Sequence, residues 1–342
     1  MKFGVIIGNP PYQEDVSKEN GGGRQTKPIY DKFIEAAINL SSDNGYVAMI
    51  TNNTFLTNDA KSDIRNKMID AGLRVLVNYP ISGEVFNGIG VSACHFLIDK
   101  NNKEHKFIYN KIEHSEIVNT YESILKTDDL ILESKYEFEI PNKVKDTKSM
   151  GDISLGVKTF GIGVNGRIGF DGKGAFVNIL KSKLDNCITI KNKISVNGIG
   201  YIYISELPKG YEYVHLYKVI CPYKISKSSQ AAFNKVEILK PQSVCTEGWA
   251  VISVFNNEVE AINCSKYVQS KLFKFLCYVF CSNGMTAVTR VLLNHVPLQD
   301  FTSSSDIDWS QSIQDIDQQL YKKYNLSEEE IVYIEQTIKP MV

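Results

Sequence analysis

Four consecutive residues near the start of the chain have the groups needed to hold a planar base and activate its amine. Asn9 has a side-chain carbonyl, Pro10 offers a backbone carbonyl, and Pro10 and Pro11 restrict the backbone that carries both acceptors. The lone pair of an exocyclic amine, such as that of adenine, is delocalised into the ring. Two acceptors on the amine hydrogens localise that pair toward an attacking group. Tyr12 adds a ring for stacking, which contributes about 1–3 kcal/mol per base.

The elements around this tetrapeptide alternate between strand and helix patterns. Apolar runs predict buried strands at residues 3–7, 46–51, 73–79 and 91–98. Amphipathic stretches predict helices at residues 28–40 and 58–71, and Gly72 is expected to end the second. The alternation predicts an open α/β sheet, in which ligands bind outside the carboxyl ends of the strands. The tetrapeptide follows the first strand directly, so it stands where a binding site is expected.

The chain is long enough for about two domains, since it has 342 residues, of which 43% are hydrophobic. Residues 1–110 carry the α/β pattern, and the lysine-rich residues 111–150 are expected to form a connector with one or two helices. Residues 151–300 mix glycines with short β-branched and aromatic runs, which predicts a separate β-rich domain with a helix at 267–280. Residues 301–342 predict a helical tail, and Ser327 and Glu330 predict a capping box at its last helix.

Several classes of protein are disfavoured by the composition. No run of about 18 apolar residues is present, so no transmembrane helix is predicted. The first seven residues lack the features of a signal peptide. The seven cysteines are scattered without the spacing of metal ligands, which predicts reduced interior thiols and no metal site. Together these features predict a cytoplasmic protein.

The charge is unevenly distributed along the chain, although the net charge is only −1. Residues 151–300 hold 17 Lys and Arg against 10 Asp and Glu, a balance of +7. Residues 1–150 and 301–342 are net acidic, at −3 and −5. A basic middle block suits a polyanionic partner, but modest positive charge also occurs on many other domains, so both interpretations stay open.

The N-terminal motifs resemble the amino-methylating DNA methyltransferases of restriction–modification systems. The strand with residues 8–12 resembles their motif IV, residues 27–34 the following helix, and residues 45–56 the next strand and loop. Residues 83–93 resemble motif VIII and the hairpin that closes the sheet. The order is that of the gamma, TaqI-like arrangement of adenine-N6 enzymes, and it covers residues 1 to about 100. The resemblance implies the second half of a doubly wound, Rossmann-like sheet, followed by a mixed, β-rich target recognition domain.

This resemblance also implies roles for individual residues. Residues 9–12 would bind the target adenine, and Phe86 matches the aromatic that stacks on the other face of the base. Phe33 matches an aromatic that lines the adenine pocket of the methyl donor, S-adenosylmethionine. Both phenylalanines could instead be ordinary core residues.

Adenine in double-stranded DNA is stacked and paired, so it must be rotated out of the helix, which requires a second domain that holds the duplex. Lys224, Lys227 and Lys235 lie in one polar stretch of the basic block, and lysines can neutralise phosphates. Arg290 lies in a segment that resembles the closing part of recognition domains in this group. The alternative for the lysine stretch is a solvated loop without a ligand.

A donor-binding loop is the expected feature that the sequence does not show. Enzymes of the gamma arrangement place this Gly-rich loop ahead of motif IV, whereas only eight residues precede Asn9. The nearest later match, residues 159–163, has no buried strand before it and no helix after it. The sequence therefore predicts a chain that is N-terminally truncated relative to the family, with its first strand as an uncovered edge. A separate polypeptide carrying the donor-binding motif could complete it.

Three functions remain after this reasoning. The first is a site-specific DNA adenine-N6 methyltransferase that is incomplete without an upstream segment or a partner. The second is a non-catalytic DNA-binding specificity subunit or an inactive remnant of such a methylase. The third, methylation of RNA or of protein glutamine, uses the same amine chemistry at residues 9–12, but the basic second block disfavours it.

Overall fold

The chain divides into two compact units, Met1–Phe138 and Glu139–Val342. The computed structural model describes residues 2–16, 25–56, 61–80, 83, 92–166, 177–193, 195–225, 233, 235–281 and 286–338. The two units do not follow the four-part division expected from sequence, which concerned functional domains and stays a prediction.

The first unit is built on a mixed six-stranded sheet. The strands of the whole unit are β1 (Phe3–Gly8), β2 (Gln13–Val16), β3 (Gln25–Pro28), β4 (Ser41–Asn52), β5 (Leu73–Tyr79), β6 (Ala93–Asp99), β7 (Lys106–Glu113) and β8 (Glu116–Ile124). The sheet order is β1-β4-β6-β5-β7-β8, and β2 pairs with β3 in a separate hairpin. The β1/β4 and β5/β7 pairs are parallel, and the other pairs are antiparallel. The predicted α/β class is therefore confirmed in the coarse sense of a central mixed sheet with helices.

Two helices cover one face of this sheet, α1 (Tyr30–Leu40) and α2 (Ser62–Asp70). Their apolar side chains, such as Ile34 and Met68, join one core cluster with residues from the sheet. The sheet residues of that cluster include Val47, Phe96 and Leu76, which share a face because their strands pair in register. Burial of this shared apolar face is the main stabilising contribution to the unit.

The first strand lies at an edge of the sheet and leaves apolar side chains uncovered. Among the described residues β1 pairs only with β4, and its other edge has no partner strand. Phe3, Val5 and Ile7 alternate along one face of β1 and are 45%, 60% and 81% exposed. Tyr46, the register partner of Val5, is also exposed on β4. Only Ile6, on the opposite face, packs against the core cluster.

The segment expected to be a helical connector forms strands in its first part. Residues 106–124 contain β7 and β8, which extend the sheet of the first unit as an antiparallel pair. In β7 the buried residues Phe107 and Tyr109 alternate with half-buried ones, the pattern of a strand covered on one face. Helices begin only afterwards, with α3 (Tyr136–Val144). Residues 41–45, between the predicted helix at 28–40 and the predicted strand at 46–51, are also part of β4.

The second unit combines small sheets with helices. Its strands are β9 (Cys187–Lys191), β10 (Ile199–Tyr203), β11 (Tyr217–Pro222), β12 (Lys224–Ile225), β13 (Glu237–Leu239), β14 (Ser243–Cys245), β15 (Trp249–Phe255) and β16 (Thr286–Ala287). Its helices are α4 (Met150–Ile153), α5 (Glu258–Gln269), α6 (Lys271–Val279), α7 (Arg290–Leu293), α8 (Ile313–Lys323) and α9 (Glu328–Thr337). The sheets are β10-β9-β14, β13-β11-β15 and β12-β16. Helix α5 packs on β11 and β15, while α8 and α9 pack on α6.

Helix ends in the second unit follow their capping residues. The helix predicted at 267–280 is two helices, because Ser270 adopts an extended backbone and its hydroxyl accepts a hydrogen bond from Phe273 N. The Asp317 carboxylate reinforces this start of α6 by accepting from Lys271 N at 2.8 Å. The predicted capping box of Ser327 and Glu330 is confirmed at α9.

Gly72 follows the end of α2 and lies in the turn before β5, where the backbone of another strand end comes very close. Its φ is +91°, and a Cβ there would meet the Asp99 carbonyl oxygen at 2.3 Å. We therefore expect Gly72→Ala to lower the free energy of unfolding of the first unit by at least about 2 kcal/mol, from backbone strain together with the clash. Hydrogen exchange of the β5 and β6 amides in urea measures this loss.

Gly156→Ala is the matched control, because Gly156 also has a positive φ, +74°, but a Cβ there would meet nothing within 4 Å. Its loss should be only the backbone strain, about 1–2 kcal/mol in the second unit. Equal losses for the two variants would contradict the claim that the Asp99 carbonyl closes this turn.

Candidate functional site

The tetrapeptide lies at the carboxyl end of β1, next to the carboxyl end of β4. The parallel register pairs Ile7 with Ala48 and Gly8 with Met49, so both strands end at the same edge of the sheet. Pro10 is buried, whereas Asn9 and Pro11 are exposed. Among the described residues, the Asn9 amide has no hydrogen-bond partner. Its carbonyl is therefore free to accept a hydrogen bond from a ligand.

A backbone hydrogen bond holds Tyr12 in place, and its side chain is half-buried. Its carbonyl accepts a hydrogen bond of 3.1 Å from Ile29 N, just before α1 begins. The pKa of Tyr12 is raised, first by burial and then by the nearby Cys94 thiol. The Tyr12 hydroxyl is therefore protonated at neutral pH.

Cys94 lies beneath this position and is fully buried. Its Sγ is 3.8 Å from Thr51 Oγ1, the neighbouring residue on β4. Burial raises the pKa of the Cys94 thiol to about 12, so the thiol is neutral and a poor nucleophile.

A second tyrosine fixes the start of α1 against the end of β4. Tyr30 and Thr54 share a hydrogen bond of 2.7 Å between their hydroxyls, and Thr54 N donates to the Asn52 side chain at 2.7 Å. Burial is the main cause that raises the pKa of Tyr30 to about 12. The Lys61 ammonium lies 5.5 Å from the centre of the Tyr30 ring and pairs with Asp31 at 2.6 Å. These contacts fix the helix that anchors Tyr12.

A chain of hydrogen bonds between buried polar side chains connects the loop after β4 with strands β5 and β7. Asn53 Nδ2 donates to Asn78 Oδ1 at 2.7 Å, and Asn78 Nδ2 donates to the Tyr109 hydroxyl at 2.9 Å. All three residues are buried. Buried amides are tolerated when they are paired in this way, and the pairing fixes the loop that follows β4 relative to β5 and β7.

Of the two aromatic residues singled out by sequence, only Phe33 lies among the described residues. Phe33, on α1, is 42% exposed and does not belong to the core cluster, so its ring is available at the surface. Phe86 lies outside the described residues. The assignments of Phe33 to a donor pocket and of Phe86 to base stacking both stay predictions.

The predicted DNA-binding residues lie on different elements of the second unit. Lys224 is exposed on β12, and Lys235 is exposed before β13. Lys227 lies outside the described residues. Arg290 begins α7, and its Nε donates to the Ser154 carbonyl at 2.5 Å, so its guanidinium is fixed against the protein. Their contact with DNA stays a prediction.

Sequence reasoning missed Tyr30, Thr54 and Cys94, which shape the site together with Tyr12. Tyr30 and Thr54 are 24 residues apart, and only the packing of α1 against β4 brings their hydroxyls together. The available signal was positional. Each residue lies within two positions of a strand or helix end at the edge where the tetrapeptide lies, since Tyr30 begins α1, Thr54 comes two residues after β4, and Cys94 is the second residue of β6.

The two features that sequence offered for a donor site lie in different units. Phe33, on α1, is 42% exposed, and residues 159–163 lie in the second unit, where Glu247 N donates to the Ile162 carbonyl. A cavity of about 480 Å³ opens at the opposite end of α1, between Glu35, Asn39, Asp70 and Lys100, away from the tetrapeptide.

Other site chemistries find no support in the described part of the chain. No group of three or more His, Cys, Asp or Glu side chains there could hold a metal ion. All seven cysteines are buried. None of the described helices has the length and apolar character needed to cross a membrane.

Comparison with known proteins places the first part of the chain near a methylase family. Residues 1–86 match the family described as Eco57I restriction-modification methylase. No curated protein matches the sequence.

Solved structures of restriction–modification enzymes are similar in fold. The type IIL enzyme MmeI in complex with DNA is 10% identical over 98% of this chain and 56% of its own, with a TM-score of 0.54. The type IIG restriction endonuclease BpuSI is 11% identical over 98% of this chain and 53% of its own, at a TM-score of 0.39. A type I methyltransferase subunit from Streptococcus thermophilus is 15% identical over 32% of this chain and 26% of its own, at 0.27. The chain thus spans about a quarter to half the length of these proteins.

The buried thiol beneath Tyr12 gives a direct test of the site's packing. Because the pKa of Cys94 is about 12 and its side chain is fully buried, we expect no alkylation of Cys94 by iodoacetamide at about pH 8 in the folded protein. Peptide mass spectrometry measures the modification, and denatured protein is the positive control. Modification of Cys94 at the rate of a free thiol would contradict this packing.

Proposed function

We propose that this chain carries the adenine-binding part of a site-specific DNA adenine-N6 methyltransferase. The observation that carries the proposal is the Asn9 amide at the carboxyl end of β1, which has no partner among the described residues and is followed by the buried Pro10 and the half-buried Tyr12. The family match of residues 1–86 and the similarity to the fold of MmeI support the coarser role of a DNA methyltransferase. As a restriction–modification methylase it would act in the cytoplasm.

The proposed chemistry concerns the amine of an adenine rotated out of the duplex. The side-chain carbonyl of Asn9 and the backbone carbonyl of Pro10 accept hydrogen bonds from the two amine hydrogens. These acceptors localise the nitrogen lone pair toward the methyl group, which S-adenosylmethionine supplies when it is bound. Because Pro10 and Pro11 fix the backbone, the acceptors are oriented before the base arrives. The Tyr12 ring stacks on one face of the base, and we assign Phe86 to the other face.

We propose that the donor pocket is completed by another polypeptide segment that pairs with β1. The free edge of β1 and the exposed face of Phe3, Val5 and Ile7 are the features that support this. A parallel strand added to β1 would satisfy its backbone groups, and an apolar helix could cover its exposed face. The sheet would then be covered on both faces, as in a doubly wound fold. Phe33 would contribute one wall of the donor pocket.

The second unit is proposed to hold the duplex. Its segment 151–300 is net positive by seven charges, and Lys224, Lys227, Lys235 and Arg290 are the candidate contacts from sequence. Phosphate contacts position a protein on DNA, whereas base-edge contacts provide sequence specificity. The recognition sequence would be read by polar side chains of this unit.

A non-catalytic DNA-binding subunit is the second candidate. It is favoured by the position of the cavity at α1, which lies away from the tetrapeptide. Calorimetry separates the two candidates, because a catalytic chain, alone or with its completing polypeptide, binds S-adenosylmethionine and a specificity subunit does not.

Asn9→Ala tests the catalytic proposal. Without the Asn9 carbonyl, one amine hydrogen loses its acceptor, and loss of one such preorganised group costs about 100-fold to 1000-fold in the methyl-transfer rate. We expect affinity for duplex DNA to change less than about twofold, since Asn9 does not contact phosphates in the proposal. Tritiated methyl incorporation by the completed enzyme and fluorescence anisotropy measure the two quantities.

Asn39→Ala is the control for this variant, because Asn39 is exposed at the far end of α1. It should leave both quantities unchanged. A loss of DNA binding that equals the loss of methyl transfer in Asn9→Ala would mean that Asn9 has a structural role instead.

The proposed pairing with β1 predicts that activity and stability rise together. The chain alone should incorporate no methyl groups, since it lacks the proximity of a bound donor. Adding a polypeptide with a Gly-rich loop after its first strand should restore incorporation and raise the melting temperature, because it binds only the folded form. Replacing Val5 and Ile7 with lysine should prevent both effects, whereas Val259→Lys, at an exposed position in the second unit, should not. Turnover by the unaccompanied chain would refute this proposal.

A further inference from the structure

Strand ends from two sheets of the second unit lie next to each other, and we call this edge of the unit the rim. Strands β9 and β14 run parallel and end together, since Lys191 pairs with Cys245. Strand β11 ends beside the start of β15, where Pro222 pairs with Trp249. The loop at residues 246–248 connects β14 to β15 and is bonded to both neighbours. Its Thr246 N donates to the Lys191 carbonyl at 3.0 Å.

Two lysines from distant parts of the sequence flank one tyrosine at this rim. Lys193 Nζ lies 5.8 Å from the centre of the Tyr223 ring, and Lys224 Nζ lies 5.1 Å from it. Both lysines are exposed, and Tyr223 is half-buried. Within the described part of the chain, neither lysine forms an ion pair. Their positive charges are therefore both available and close to each other.

A third lysine at the rim, Lys191, differs from these two because an acidic side chain already neutralises its charge. Lys191 pairs with Glu237 at 2.7 Å and lies 5.0 Å from the centre of the Trp249 ring. Glu247, in the connecting loop, is the other acidic residue nearby, and its backbone N–H donates to Ile162. The rim therefore has a structural cation in Lys191 and two uncompensated cations at Lys193 and Lys224.

Gly248 leaves space at the rim for the side chain of Lys193. A Cβ there would meet the Lys193 side chain at 3.2 Å, so any larger residue would displace the stem of that lysine. The Gly248 carbonyl accepts from Tyr223 N at 3.3 Å, which ties the tyrosine to the same loop. The absence of a side chain lets Lys193 lie across the loop toward Tyr223.

We propose that this rim, formed by Lys193, Tyr223 and Lys224 around the loop at residues 246–248, binds the sugar–phosphate backbone of duplex DNA. The proposal rests on the proposed function, and it replaces a linear lysine stretch with a three-dimensional site that includes Lys193. The two free ammonium groups neutralise phosphates, and the Tyr223 ring between them supports a sugar. The contact is independent of sequence, so it positions the duplex without reading it.

The test measures the salt dependence of duplex binding by the full chain. Fluorescence anisotropy with a labelled DNA duplex, repeated over a series of KCl concentrations, gives the slope of log K against log salt. Each lost phosphate contact lowers that slope by about one, so Lys193→Gln combined with Lys224→Gln should lower it by about two. The charge-retaining pair Lys193→Arg and Lys224→Arg should keep the wild-type slope. Lys181→Gln with Lys183→Gln, exposed residues before β9, is the matched control for charge removal.

The outcomes distinguish a failure of the proposed DNA contact at the rim from a failure of the proposed catalytic function. If the wild type binds the duplex and the double glutamine variant keeps its slope, the rim is not the contact and this inference is overturned. Stronger binding to an RNA duplex of the same sequence would overturn it as well. If the slope falls by two but the completed wild-type enzyme methylates no DNA, the rim stands and the proposed catalytic function fails. With an active enzyme, the double variant should raise KM for DNA and leave kcat unchanged.

Discussion

The parallel pairing of β1 with β4 is the constraint on which the candidate site depends. It brings the carboxyl ends of both strands to one edge, so the tetrapeptide that follows β1 lies beside the loop that follows β4. Strand side chains alternate between faces, and the observed register directs Ile6 into the core and Val5 and Ile7 outward. A shift by one residue would exchange these faces and remove Asn9 from the edge. The hydrogen bonds of Ile29 and Tyr30 matter because they hold α1 against this same pair of strands.

The helices described on the sheet lie on one face, and this links stability to the proposed activity. The uncovered side of β1 exposes apolar area that an isolated domain usually buries. A segment that covers it would gain hydrophobic free energy at the very edge where a methyl donor must approach the Asn9 carbonyl. The same binding event would therefore complete the sheet and the reaction site. Buried interior contacts such as Asn53 with Asn78 do not depend on that event, since they are formed within this chain.

Much of the fold was predictable from local pattern, and the exceptions have physical reasons. Strand β5, the stop at Gly72 and the capping box at Ser327 follow from signals that lie within a few residues of each other. Strands β7 and β8 were missed because their exposed faces carry lysine and glutamate, which hide the period-two pattern of Phe107 and Tyr109. The position of Asn9 was predictable because a strand end precedes it. The contacts of Cys94 beneath Tyr12 and of Lys193 beside Tyr223 were not, since tertiary packing alone brings them together.

The energetics of base extrusion explain why an adenine site of this kind needs a second unit. Rotating a base out of the duplex costs a few kcal/mol. In the proposed complex, stacking on Tyr12 would return about 1–3 kcal/mol, and two hydrogen bonds to Asn9 and Pro10 would return about 0.5–1.5 kcal/mol each. The proposed pocket would therefore roughly balance the cost of extrusion and leave little free energy to hold the duplex itself. That binding energy would have to come from backbone contacts elsewhere, and we propose that uncompensated cations such as Lys193 and Lys224 supply it without regard to sequence. Discrimination between DNA sites then rests on other side chains that reach the bases.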